Sequence, residues 1–230
     1  MSDLNPYALD HLVAARAPAS ERLAFLQRTY GLLLAGILVF AATLWAAGNV
    51  ESVNSLAVSL FRTNRWLVFA IILGGSWLVH AVADKSPINL IAYFTYALLF
   101  GLLLAPLVLY VARTQPVVIS QASILTALVF TGLTGYVFTT RKDFSFLGGA
   151  LAIGLFAMLG IAIAGMLFGF SVGLWYSVIG VVLFSGYVLY DTSKILLHYP
   201  TNRHVSAAIV LFVDVVLLFK HILILLSRRR

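Results

Sequence analysis

Residues 207–219 read AAIVLFVDVVLLF and, shortly before them, residues 181–197 read VVLFSGYVLYDTSKILL. Neither alternates apolar with polar as a half-buried strand does. Both belong to apolar runs of about twenty residues, the length an α-helix needs to cross a bilayer core. Lipid offers no hydrogen bonds, so only helices or closed barrels span it, and a barrel shows short alternating strands. The two runs therefore read as membrane helices, each carrying one acid, Asp191 and Asp214. A charge at that depth costs ~2.5–3.5 kcal/mol even on insertion-based scales, which marks the pair as the place to seek function.

The rest of the chain reads the same way. With 62% hydrophobic and 10% charged residues and a mean hydropathy of +1.02, it has more apolar surface than one soluble core can hide. Seven spans are expected, at about 30–48, 66–83, 89–112, 119–140, 145–169, 172–197 and 205–226. Polar breaks separate them: Asn49 to Arg65, Asp84 to Pro87, Arg113 to Pro116, Thr140 to Asp143, and His198 to His204. Between 169 and 172 only Gly169, Ser171 and Gly173 mark a break, so one long broken helix is the alternative there. Residues 1–29 are expected as a polar cytoplasmic tail, helical from Ser20 with Ser20 as N-cap, and without the pattern of a secretory signal. Residues 30–226 form the membrane domain and 227–230 a basic end.

Basic residues near the span ends set orientation. With the N-terminus inside, Arg16, Arg22, Arg28, Lys85, Arg141, Lys142 and Arg203 are inner, while Arg62, Arg65 and Arg113 are outer, seven against three. Arg228–Arg229–Arg230 opposes this, because seven crossings leave it outside; either the last segment stops short or late charges fail to override the earlier helices. The net charge of +7 is accounted for by these loops and by anionic lipid head groups. No basic cluster interleaved with aromatics sits on a soluble domain, so no nucleic-acid partner is expected. The lack of cysteine excludes disulfides, thiol catalysis and thiolate-bound metals.

In this topology Asp191 lies roughly 10 Å and Asp214 roughly 14 Å below the inner boundary, at 1.5 Å rise per residue. Consecutive antiparallel helices thus bring the two acids to similar depth. Two carboxylates in a dry site do not both ionise cheaply, so one proton is held between them, and full ionisation separates them or draws in a cation. Their hard oxygens suit calcium. The bland reading is that each acid is a packing group satisfied by its neighbours Tyr187, Tyr190, Thr192 or Ser193. Tyr190 and His80 are candidate auxiliaries, although a lone histidine near a helix end is more often interfacial. Lys220, six residues after Asp214, sits about 120° around the helix from it and is a poor partner. The glycines 148, 149, 154, 160 and 165 of the fifth span read as close helix packing.

Two enzyme-like or photochemical readings fit poorly. An intramembrane aspartyl protease needs two membrane aspartates, and Tyr190–Asp191 matches part of one signature, but Gly-x-Gly-Asp is absent because Asp214 follows Leu211–Phe212–Val213. A retinal protein is disfavoured by the spacing of Asp214 and Lys220 and by a third span without an acid.

The segments GYVFTTRKDFSFLGG (135–149), FSGYVLYDTSKI (184–195) and AAIVLFVDVVLLF (207–219), with Pro106 inside the third span, resemble the Bax inhibitor-one family, also called the transmembrane Bax inhibitor motif family. The first segment looks especially like its bacterial YccA-type branch. The resemblance implies an all-α membrane protein of seven helices, the last surrounded by the other six, that is not an enzyme and needs no cofactor. It also implies a calcium leak controlled by pH, with Asp191 and Asp214 as sensor and calcium ligands, in a bacterial inner membrane. Some members carry a basic residue at the inner end of the second span; here WLVHAVADKS (77–86) offers His80, Asp84 and Lys85 but no arginine. YccA-type relatives are thought to bind and restrain a membrane-bound ATP-dependent protease. The alternative implied function is therefore regulation of such a protease, with Arg141–Lys142–Asp143 or the N-terminal tail as contact.

Overall fold

The computed structural model describes residues 13–63, 65–83 and 85–228, with the side chains of 61–63, 65–69, 73, 76 and 80 outside the described set. Among the described residues eight α-helices follow in order: α1 (Ala19–Asn49), α2 (Glu51–Thr63), α3 (Arg65–Val82), α4 (Ile88–Thr114), α5 (Pro116–Thr140), α6 (Gly148–Phe168), α7 (Leu174–Leu197) and α8 (His204–Ser227). Among the described residues six are long and apolar enough to cross a membrane: α1, α4, α5, α6, α7 and α8. The expected count of seven is one higher, and the difference is α3, whose described apolar stretch is only Ala70–Val79. α3 lies antiparallel along the first half of α4, where Asn89 Nδ2 donates to the Ala83 carbonyl at 3.0 Å and the Tyr96 hydroxyl to that of Ile72 at 3.5 Å.

Three local expectations change. The break after Asn49 contains α2, a 13-residue helix, which packs Val53, Ala57 and Leu60 against Leu102, Ala105 and Leu109 of α4. Ser20 is not the N-cap; Pro18 holds that position and its carbonyl accepts the Arg22 N–H at 2.9 Å. Proline fits there because its fixed φ leads into the first turn. The weak break is real, because Gly169 at φ 74 takes the left-handed conformation that ends α6.

The bundle has two distinct ends. At one, the Ala14 N–H donates to the Tyr199 carbonyl at 2.8 Å, Val13 bridges Pro200, and the Thr201 hydroxyl donates to Glu21 at 2.5 Å. At the other, Gln115 Nε2 donates to the Ser227 carbonyl at 3.1 Å and Arg228 to that of Val172 at 3.3 Å. α8 therefore runs the full height of the bundle, and Arg228 lies at the end opposite Ala14. By length and composition α8 can cross a membrane; Arg229 and Arg230 of the basic end lie outside the described residues.

α8 is the axis. α1, α4, α5 and α7 pack directly on it, while α2, α3 and α6 lie against those helices from outside. Ala207, Ala208, Ile209, Leu211 and Phe212 are fully buried. The Phe212 ring meets Phe40, Tyr93 and Phe100 edge-on at 6.3, 5.9 and 6.1 Å, a geometry in which ring edges face π-clouds. Between membrane helices lipid tails are as apolar as leucine, so close packing of this kind does what the hydrophobic effect does in water. Gly36 of α1 is where this packing is tightest: a Cβ there would overlap the Tyr93 hydroxyl, which donates to the Leu32 carbonyl at 3.0 Å.

Candidate functional site

α7 and α8 are joined by only a short turn, so they run antiparallel in close contact. Asp191 and Asp214 meet across that contact, 9% and 4% exposed, with their carboxyl groups hydrogen-bonded to each other. An ionised carboxylate only accepts hydrogen bonds, so the bond requires that one of the two carries a proton. Among the described residues nothing donates to the buried Asp214 Oδ2. The pair thus depends on its own shared proton.

The neighbours expected to satisfy Asp191 are largely engaged elsewhere. Thr192 lies near Tyr30 of α1, its buried hydroxyl without a hydrogen-bond partner among the described residues, and Ser193 Oγ accepts the Phe144 N–H at 3.1 Å while donating to the Tyr190 carbonyl at 2.9 Å. The Tyr190 ring packs beside Gly148 at the start of α6, and its hydroxyl accepts from Lys194 Nζ at 3.2 Å. Lys194 is one helical turn beyond Asp191, the spacing at which helical side chains interact, and its charge acts on that carboxylate. Tyr190 is therefore linked to the pair through Lys194. Tyr187, one turn earlier, lies within electrostatic reach of both acids.

Tyr199, in the turn between α7 and α8, closes the near end of the site. Burial first, then the negative field of Asp191, pushes its phenol up to about 12, with Arg203 acting the other way. It remains a neutral hydroxyl at physiological pH. Further out, Asp143 Oδ2 pairs with His198 Nε2 at 3.4 Å. Its carboxyl is held below the ordinary 3.8 mainly by the Ser145 N–H, which donates to Oδ1 at 2.8 Å.

A family model described as inhibitor of apoptosis-promoting Bax1 matches residues 22–230. The chain belongs to the Bax inhibitor-1 family. It is 32% identical over 209 residues to an uncharacterized protein of Campylobacter jejuni, covering 89% of this chain and 88% of that protein. It is 31% identical over 221 residues to a Golgi anti-apoptotic protein of vaccinia virus, covering 93% and 89%, and 29% identical over 220 residues to mouse protein lifeguard 4, covering 91% and 87%.

As a member of the Bax inhibitor-1 family the chain is a multi-pass integral membrane protein. Lys194, Tyr199 and Arg203 are the site neighbours that sequence reading missed. Lys194 was accessible from its spacing, whereas Tyr199 and Arg203 depend on how the turn folds. His80 lies on α3, but its side chain is outside the described residues. His221 shares the α8 face of Asp214, seven residues on, and stacks on Phe184 at 5.6 Å with Gly180 leaving room for its ring. Among the described residues no cluster of three or more acids and histidines could hold a metal. Two carboxyls give at most about four of the 6–8 oxygens that calcium takes. Such a site suits an ion in passage that keeps part of its water, not one held in a closed cage.

Proposed function

We propose that this protein is a pH-sensitive calcium leak channel or transporter, gated by the Asp191–Asp214 pair, in a bacterial inner membrane with its N-terminus cytoplasmic. The observation that carries the reading is the hydrogen bond between two buried carboxyls on α7 and α8. With one proton shared, the pair ties the two helices together. Without it, two like charges face each other in a low dielectric, where they repel strongly unless a cation lies between them. A divalent cation neutralises both. Lys194 next to Asp191 supplies a competing positive charge. The inward placement of the N-terminus is supported by the excess of basic residues in the loops on that side.

Liposomes holding a calcium indicator and the purified protein test the proposal. Leak should change between mildly acidic and neutral pH, and Asp191→Asn or Asp214→Asn should flatten that response. If both variants respond to pH as the unmodified protein does, the pair is not the gate.

A further inference from the structure

Beyond the Tyr30–Phe138 contact of α1 and α5, where the rings lie 5.9 Å apart, a slot of about 830 Å³ opens between these helices. α8 forms its floor through Val215, Val216 and Phe219, and α4 closes one side. The slot follows α1 from Leu34 to Asn49, ~22 Å at the rise of an α-helix, which is more than the ~15 Å of one leaflet's hydrocarbon.

The lining chemistry restricts what the slot accepts. Its hydroxyl and amide donors are turned back on their own helices: Asn49 Nδ2 to the Trp45 carbonyl at 2.8 Å, Ser123 to Ile119 at 2.9 Å, Thr126 to Ala122 at 2.7 Å and Thr131 to Ala127 at 2.7 Å. The slot therefore has little to offer a polar ligand along its length. Arg113 differs. It lies in the last turn of α4, exposed, at the mouth shared with Asn49, and among the described residues it forms no salt bridge.

An apolar slot with a single guanidinium at its mouth matches an amphiphile with an anionic head. We infer that the slot is a phospholipid site, with one acyl chain lying between α1 and α5 on α8 and the lipid phosphate on Arg113. A guanidinium binds phosphate through paired charge-assisted hydrogen bonds, and Arg113 lies in the last turn of a helix long and apolar enough to cross a membrane. The inference is independent of calcium transport. It places a lipid chain against the residues of α8 that directly follow Asp214.

Native mass spectrometry of the purified full-length chain in detergent, with dioleoyl phosphatidylglycerol added, tests the site. The unmodified protein should retain one lipid. Arg113→Gln should weaken retention by about tenfold, the scale of a lost charge-assisted contact. Ala127→Trp or Ser123→Phe, each filling the slot, should abolish retention, whereas Ile153→Trp on the exposed face of α6 should leave it unchanged; gel filtration confirms that each variant is folded. Equal retention by Arg113→Gln and the unmodified protein overturns the assignment, as does preferential retention of added oleate. A lipid-free dimer that Ala127→Trp splits also overturns it, by giving the slot to a second copy of the chain.

Discussion

The two halves of α8 are built from the same valines, leucines and phenylalanines, yet only one of them borders a slot. From Val205 to Asp214 the helix is enclosed, with Ala207, Ala208, Ile209, Leu211 and Phe212 wholly buried. Beyond Asp214 the helix stays buried through Leu218, Ile222 and Leu223, and Val215, Val216 and Phe219 also border the slot between α1 and α5. Lipid accommodates valine and phenylalanine about as well as protein does, so a slot beside them costs little. It does not accommodate a carboxyl, and the bundle is closed where the carboxyls are.

The contrast is sharpest in stability. Phe212→Ala should cost ~3–5 kcal/mol, the usual range for removing a buried aromatic ring, while Val215→Ala on the slot side should cost less than about 1 kcal/mol. Unfolding followed by circular dichroism in detergent compares them, and equal losses would mean that the two halves are enclosed alike. A second comparison lies within α1. Gly36→Val drives a side chain into Tyr93 and should cost ~1–3 kcal/mol, whereas Gly31, with nothing near its Cβ position, should accept valine with little change. Adding Tyr93→Phe to Gly36→Ala should recover part of the loss.

Smaller effects belong to the connections that hold the closed end together. Ser193→Ala removes the acceptor of the Phe144 N–H and should cost ~0.5–1.5 kcal/mol, the net worth of such a bond. Asp143→Asn should cost less than about 1 kcal/mol, because the pair with His198 is exposed and screened. Since the Asp143 carboxyl is held below its ordinary 3.8, its contribution is complete above that value and fades as pH falls through the lowered one. The difference between Asp143→Asn and the unmodified protein should therefore vanish in strong acid and persist at neutral pH.

Much of this was legible in the sequence, for a physical reason: a continuous apolar run in lipid has one compatible backbone state. α2 escaped because ESVNSLAVSLFRT is rich in polar residues and lies in a stretch read as a break, although Val53, Ala57 and Leu60 recur at helical spacing. The acid pair was legible because a short turn between antiparallel helices fixes relative depth. Its surroundings were less so. Thr192 and Ser193 seemed natural partners for Asp191 from their adjacency, but successive residues on a helix point about 100° apart. Ser193 serves Phe144 instead, and Thr192 lies beside Tyr30. The slot left no signature, since it arises where two helices separate and not from any one residue.

The axial position of α8 also bears on how the molecule is made. Of the eight helices it is the last to be synthesised, yet Phe40, Tyr93 and Phe100, which are made earlier, have their common partner in Phe212. The earlier helices must therefore wait in the bilayer without their centre, and Ala14 must wait for Tyr199. The bundle completes from the outside in, so a chain truncated before α8 loses its core and not merely its final segment.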